Sequence, residues 1–176
     1  MNLVPVGHDL GVFHDGTGSA PVRQIRVGAE VEELTEEQYE LWLAVLDGAE
    51  ASDDLRSRRL VADPTDSVEF ASTHRLLPLA LGLGNTAEEP WLFAAGLLYQ
   101  PMVAMTSPLY DLWQWAHLSP DLWSACREAA AVAVQAGATA PEQTDPAEVL
   151  AGALETAPHL LTSRVACFDV RIEGLR

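Results

Sequence analysis

Hydrophobic and polar residues alternate along the first part of the chain and then change to a helical spacing. Residues 3–14 have an extended pattern that ends at the glycine-rich turn DGTGSAP, and residues 22–27 alternate between apolar and polar positions. Further on, apolar residues recur at i, i+3, i+4 and i+7, the spacing of one helical face: Tyr39, Trp42, Leu43 and Leu46. The pattern predicts a β-hairpin followed by an amphipathic helix.

Capping signals indicate where the helices of the first half begin. Thr35 and Gln38 form a Thr-x-x-Gln capping box, and Ser52 is expected to cap a second helix. Asp63-Pro64 has the aspartate and proline typical of a helix start, which predicts a short third helix. The apolar residues of that third helix are Val68 and Phe70.

The second half of the chain repeats these signals in the same order. TEEQYELW at residues 35–42 matches TSPLYDLW at 106–113, and LVPVGHDLGV at 3–12 matches LLPLALGLGN at 76–85. A second Asp-Pro helix start follows at Asp145-Pro146. Matches in this order predict an internal duplication; the alternative is a single α+β domain with two similar helices.

The repeated order predicts an α+β fold of two units. A short strand pair, three helices and a β-hairpin resemble the plan of a winged helix-turn-helix. We therefore expect two tandem winged-helix-like modules, residues 1–73 and 74–176, packed as one compact unit. The last segment, LLTSRVACFDVRI, predicts a terminal hairpin with Phe168, Val170 and Ile172 facing inward and Asp169 and Arg171 facing outward.

One segment resembles a known peptide-binding family. RVGAEVEELTEEQYELWLAVLDG combines a strand, a capped turn and a helix that ends in Asp-Gly. Over residues 22–48 it is similar to PqqD-like domains, the RiPP recognition elements, in which a leader peptide adds as a strand to a three-stranded sheet. The resemblance implies a docking edge near Ile25 and Val27, with Val68 and Phe70 in the groove beside it.

The charge balance bears on partners. The 176-residue chain has a formal net charge of −16, and its ten cationic residues are all arginines. Such a surface repels phosphate backbones and anionic lipids, so we expect neither a nucleic-acid nor a membrane partner. We expect a protein or peptide partner, with a homodimer left open. The lack of lysine excludes Schiff-base and phosphate-loop lysine chemistry.

The chain has no motif that points to catalysis, a cofactor or a metal. His8 and His14 are spaced to share one strand face, but no third ligand is spaced to join them. GLGN at residues 82–85 opens no helix, which excludes a dinucleotide loop. Cys126 and Cys167 are too far apart for a zinc knuckle and are expected to be buried.

Two tryptophans complete the predicted binding surface. Trp115 lies two residues after Trp113 and cannot share its helix face, so Trp115 and Trp123 either form an exposed apolar patch or pack against the other module. The residues that we predict to contact a partner are Ile25, Val27, Val68, Phe70, Trp115 and Trp123.

The favoured function is a non-catalytic, acidic adaptor or regulator in the cytoplasm. It would engage a protein or peptide, by strand addition to an open sheet edge. The alternative is a winged-helix transcription regulator that binds DNA through a local basic face, and a third class is an enzyme of unknown reaction.

Overall fold

The computed structural model describes residues 3–171 and shows an α+β fold. The described residues form ten strands and seven α-helices. The strands are β1 (Val4–Pro5), β2 (His8–Phe13), β3 (Val22–Val27), β4 (Glu30–Leu34), β5 (Val61–Ala62), β6 (His74–Pro78), β7 (Leu81–Gly84), β8 (Leu92–Leu97), β9 (Gln100–Thr106) and β10 (Ala166–Val170). The helices are α1 (Glu36–Ala44), α2 (Asp53–Ser57), α3 (Ser67–Thr73), α4 (Ser107–Trp115), α5 (Leu122–Gln135), α6 (Pro141–Thr144) and α7 (Pro146–Thr162).

The strands form four small antiparallel sheets. Strands β2, β3 and β4 make the first three-stranded sheet, with β3 in the centre. Strands β7, β8 and β9 make the second, with β8 in the centre. Strand β1 pairs with β5, and β6 pairs with β10. A parallel bridge between Val6 and Phe168 connects these two pairs, so segments from the two ends of the chain lie next to each other.

The capping signals account for the first helices. The Thr35 hydroxyl accepts a hydrogen bond from the Gln38 amide at 3.3 Å, and the Gln38 side chain accepts one from the Thr35 amide at 2.9 Å. This completes the predicted capping box. The Ser52 hydroxyl accepts a bond from the Leu55 amide and begins α2, as predicted.

The two halves share an aromatic arrangement at the same place in the element order. Trp42 in α1 donates from Nε1 to the carbonyl of Leu60, and Trp113 in α4 donates to the carbonyl of Val165. Each acceptor directly precedes the last strand of its half. The ring centroids of Tyr39 and Trp42 are 5.7 Å apart, and those of Tyr110 and Trp113 are 5.6 Å apart. The matching Tyr-x-x-Trp segments therefore hold equivalent core positions.

A bulge recurs at the entry to each three-stranded sheet. The register shifts between Asp9 and Gly11 in β2 and between Gly82 and Gly84 in β7. In the first half the Tyr39 hydroxyl donates to the Asp9 carboxylate at 2.6 Å. In the second half the Tyr110 hydroxyl fills the space that a side chain at Gly82 would need. At the bulge of each sheet, the tyrosine hydroxyl is therefore accommodated in a different way: the Asp9 carboxylate binds it, and the missing side chain of Gly82 leaves room for it.

The predicted start of the third helix is wrong. The Asp63 carboxylate accepts bonds from the amide and hydroxyl of Thr65 and closes a turn, while Asp66 caps α3 through the Glu69 amide. Asp145-Pro146 does begin α7, as predicted. Helix α2 is followed by β5, and α7 is followed by β10, so α7 corresponds to α2 in element order. Helices α5 and α6 then have no counterpart in the first half.

The predicted terminal hairpin is also wrong. Helix α7 continues to Thr162, and the single strand β10 then pairs with β6. Phe168 is buried as predicted, but Asp169 is buried as well instead of facing outward. Ile172 lies outside the described residues.

The apolar side chains form two core clusters. The smaller cluster lies between the first sheet and α1 and includes Ile25, Leu34 and Trp42. The larger cluster contains the helices of the second half and also takes in α3, whose Phe70 ring meets Phe168 edge-on at 5.0 Å. Helix α3 therefore packs with the residues that follow it, just before the predicted module boundary. The two winged-helix-like modules remain a prediction.

Candidate functional site

The residues named by the resemblance to PqqD-like domains do not form an edge. Ile25 and Val27 face the smaller core, with 0% and 9% of their surface exposed. Their strand, β3, is the centre of the first sheet and is hydrogen-bonded to both β2 and β4. The expected docking edge at Ile25 and Val27 is therefore wrong, because a strand paired on both sides cannot accept another.

The expected groove residues are also not brought together with that strand. Phe70 is buried in the larger core, whereas Val68 on the same helix is exposed. Helix α3 packs against α5 and α7, so it does not form a groove wall beside Ile25 and Val27.

The two predicted tryptophans lie in different environments. Trp115 has 56% of its surface exposed and lines a groove beside α4. Trp123 is half-buried and packs against the larger core. Trp115 therefore belongs to a candidate surface, whereas Trp123 does not line the groove.

The first sheet has a charged edge. Strand β4, at its border, carries Glu30, Glu32 and Glu33 among five residues. Glu32 accepts a bond from Arg58 Nε at 2.7 Å, and Glu33 accepts one from Gln24 at 3.3 Å. Charged side chains on an edge strand prevent another strand from pairing with it.

The turn of the first sheet is fixed to the rest of the protein. Gly28, between β3 and β4, donates its amide to the buried Asp169 carboxylate at 2.7 Å. Arg26 Nη1 donates to the other oxygen of the same carboxylate at 2.9 Å. Gly28 has φ +60°, and a side chain there would collide with Val170. The contact with β10 therefore requires glycine at this turn.

The second sheet has the same topology as the first, but its edge is uncharged. Residues 90–110, which contain β8 and β9, have no charged side chain. Within residues 3–171, β9 is hydrogen-bonded to β8 on one side and to no strand on the other. Its side chains alternate, with Val103 and Met105 buried and Met102 and Ala104 exposed. Strand β9 is thus an open, uncharged edge of seven residues.

The turn of the second sheet projects apolar side chains into solvent. Leu97, Leu98 and Tyr99 are all exposed, and Tyr99 has 93% of its surface accessible. Tyr99 has φ +62°, a left-handed conformation that costs a non-glycine residue on the order of 1–3 kcal/mol. A strained tyrosine that contributes almost nothing to the core is a sign of a functional constraint. We call residues 97–102 the apolar tip.

A groove of about 900 Å³ runs along α4 and α5. Its floor is formed by buried residues of the two helices, Leu112, Ala116 and Ala125. Its walls include the exposed side chains of Trp115 and Val132. The groove begins at Ser107 and Pro108, which directly follow β9 in the chain.

The ionisable residues that line the groove are acidic. The Glu128 carboxylate accepts a bond from the buried Ser119 hydroxyl at 2.8 Å. Asp111 forms no ion pair with any described residue, and partial burial raises the pKa of its carboxyl. Among the described residues that line the groove, none is an arginine or a histidine. The groove therefore offers an apolar surface with negative charge.

A second cavity, of about 240 Å³, contains polar groups that already satisfy one another. Asp9 accepts from the Tyr39 hydroxyl and lies 3.7 Å from Arg164 Nη1. Burial and the Asp9 carboxylate raise the pKa of the Tyr39 phenol. The Asp9 carboxylate also accepts the Gly11 amide at the bulge. These contacts hold β2 against α1, so their first role is structural.

Five of the nine arginines among residues 3–171 form ion pairs with acidic residues. Ion pairs join Arg23 to Glu36, Arg26 to Asp169, Arg58 to Glu32 and Asp54, Arg164 to Asp9, and Arg171 to Asp121. Arg75 is buried and donates to the carbonyl of His117. The acidic partners offset the charge of the five paired arginines.

Sequence reasoning missed the open edge at β9 and the apolar tip. The signal was present, because residues 90–110 have no charge in a chain whose residues are 20% charged. The sequence does not show which strand lies at the border of the sheet, and strand addition depends on that position.

Comparisons with protein families, with characterised proteins and with solved structures found no match for this chain. Among residues 3–171, no group of three or more potential metal ligands lies together, and His8 and His14 gain no third ligand. No helix in the same residues is long and apolar enough to cross a membrane. The function must therefore be argued from the surfaces themselves.

Proposed function

We propose that this protein is a non-catalytic, cytoplasmic adaptor that binds an extended segment of a protein partner by adding it as a strand to β9. The observation that carries the proposal is the open, uncharged edge of the second sheet. Strand addition satisfies the free backbone groups of the edge by main-chain hydrogen bonds, and the exposed side chains select the sequence.

The chemistry of the edge specifies the segment. Met102 and Ala104 face outward along β9, and Leu97 and Leu98 extend the apolar surface at the tip. A segment with apolar residues at alternate positions would place them on this surface, because side chains on a strand alternate in direction. We expect little contribution from charge, since no charged residue occurs between positions 90 and 110.

The strain at Tyr99 supports a binding role for the tip. A glycine would adopt φ +62° without steric cost, as glycine does at the turn of the first sheet. A large, exposed aromatic ring instead occupies the position. Tyrosine is enriched in protein interfaces because it offers a large, rigid contact area.

The test is a selection of displayed peptides on the purified full-length chain, with counter-selection against Ala104→Lys. The charged substitution lies on the exposed face of β9 and is designed to prevent pairing. Ala131→Lys, on the exposed surface of α5, is the matched control and should bind as the wild type does.

We expect the selected peptides to have alternating apolar residues and to bind Ala104→Lys at least tenfold more weakly. N-methylation at alternate peptide positions should abolish binding in one of the two registers, because it removes main-chain donors. Peptides that bind wild type and Ala104→Lys equally would contradict the proposal. So would a dimer that Ala104→Lys dissociates, because the edge would then belong to a second copy.

A further inference from the structure

The groove along α4 and α5 is a second surface that strand addition at β9 does not use. We propose that it binds an amphipathic helix of a protein partner, with a face of alanine and aliphatic residues and with arginine or lysine at its borders. The proposal rests on the shape of the groove and on its charge, and it stands independently of the β9 edge.

The shape of the groove matches a helix. Three alanines of α5 line the groove at intervals of four residues, Ala125, Ala129 and Ala133, and Ala136 at the C-cap of the helix follows them. Small residues let a second helix approach to the lower end of the usual interaxial range of about 8–10 Å. Helix α5 has 14 residues and is about 21 Å long, so the groove accommodates roughly three to four turns.

The walls supply the anchor contacts. Trp115 stands on α4 at one side, and Val132 stands on α5 at the other, both with most of their side chain exposed. Exposed tryptophan next to a buried apolar floor is typical of the anchor position of an interface. The Leu112 and Ala116 side chains lie beneath it and would contact the apolar face of the bound helix.

The charge of the groove specifies the borders of the partner helix. Asp111 and Glu128 are the ionisable residues of the lining, and both are acidic. The surrounding low polarity raises the pKa of the Asp111 carboxyl, and a nearby cation would offset that effect. The net charge of −16 adds a long-range attraction for a cationic segment. An anionic or neutral helix would lack these contributions.

The experiment uses two designed peptides as probes. One is an 18-residue amphipathic helix with alanine and leucine on one face and arginines at the borders of that face. The other has glutamate in place of each arginine. Binding of the fluorescently labelled peptides to the full-length protein is measured by anisotropy at low and physiological salt.

Two pairs of variants locate the binding. Ala133→Arg fills the groove, and Ala131→Arg places the same side chain on the exposed surface of the same helix as a control. Asp111→Asn removes a groove charge, and Glu155→Gln removes an exposed charge from α7. We expect the arginine peptide to bind, Ala133→Arg to weaken it at least tenfold, and Asp111→Asn to weaken it about threefold to fivefold. Both controls should bind as the wild type does.

The outcomes separate this proposal from the proposed function. Ala104→Lys on β9 should leave binding of the arginine peptide unchanged. Equal binding of the arginine and glutamate peptides, or unchanged binding to Ala133→Arg, would overturn the helix proposal. Self-association that Ala133→Arg removes would assign the groove to a second copy and would also overturn it. Loss of binding with Ala104→Lys alone would place the peptide on the sheet edge.

Discussion

The two three-stranded sheets have the same topology but differ in the charge of their edges. Strand β4 borders the first sheet with three glutamates, whereas β9 borders the second without a charge. The turn of the first sheet is bound to Asp169, whereas the turn of the second projects Leu98 and Tyr99 into solvent. One backbone plan can therefore support a protected sheet or an open one, and the exposed side chains decide which.

The buried contacts of the two halves are more alike than their surfaces. Trp42 and Trp113 donate to equivalent carbonyls, and each packs against the tyrosine three residues before it. Both sheets contain a bulge at the same place in the element order. These shared contacts maintain the architecture, while the differences between the sheets lie where a partner can reach them.

The largest expected effect comes from removing the paired tryptophans. Trp42→Ala and Trp113→Ala should each lower the free energy of unfolding by about 3–5 kcal/mol, because each leaves a cavity and removes a buried hydrogen bond to a backbone carbonyl. Urea unfolding followed by circular dichroism measures the change. A loss below about 1 kcal/mol at either site would show that the two positions are not equivalent.

Asp169→Ala should release the turn of the first sheet. The substitution removes the acceptor for Gly28 and Arg26 and leaves a cation without its partner, which costs about 3 kcal/mol. Glu30→Gln, at the exposed end of β4, should change stability by less than about 0.5 kcal/mol. Amide exchange should rise at β3 and β4 in Asp169→Ala; unchanged exchange there would argue against the docked turn.

A glutamate on β9 should protect the edge of the second sheet as the glutamates of β4 protect the first. Ala104→Glu gives β9 a glutamate like those of β4, and it should weaken binding of the selected peptides at least tenfold, or about 1.4 kcal/mol. Thermal unfolding should be nearly unchanged, because Ala104 is exposed. A variant that keeps its affinity would show that β9 is not the site of pairing.

Acid should destabilise the protein through two histidines outside the second sheet. Burial lowers the pKa of His8, with Arg26 adding to the effect, and burial lowers the pKa of His74. The folded state therefore favours the neutral imidazoles, so their contribution is present above the unfolded pKa of about 6.5 and is lost as pH falls below it. Melting temperatures should fall from pH 7 to pH 5.5. His74→Gln should flatten that slope, and an unchanged slope would exclude His74 as a cause.

Replacing Tyr99 at the apolar tip should have a small effect on stability and an opposite effect on peptide binding. Tyr99→Gly relieves the left-handed strain but increases the freedom of the unfolded chain, so the free energy of unfolding should rise by about 1 kcal/mol or less. Peptide affinity should fall, because the exposed ring is removed. Thermal unfolding and peptide titration of the same variant test both parts, and a fall in stability with unchanged affinity would assign Tyr99 a structural role.

Local signals in the sequence predicted the elements that depend on local contacts. The Thr35–Gln38 capping box, the Ser52 cap and the repeated Tyr-x-x-Trp segments all hold in the structure. The Asp63 prediction failed because an aspartate side chain can close a turn as readily as it caps a helix. The terminal hairpin failed because its first residues complete α7, whose apolar side fills the larger core.

The candidate sites depended on contacts that the sequence could not supply. Ile25 and Val27 have the alternation of a strand, but their pattern does not distinguish a central strand from an edge. The sequence left Trp115 open between an exposed patch and packing against the other module, and the structure shows it exposed. The openness of β9 and the groove between α4 and α5 arise from the packing of distant segments, so they required the structure.

Amide hydrogen exchange of the complex with a selected peptide locates the bound segment on the protein. We expect slower exchange at β9 and at the turn around Tyr99 when the peptide is bound, with β4 unchanged. Protection of β4, or protection confined to α4 and α5, would contradict the assignment of the second sheet as the binding surface.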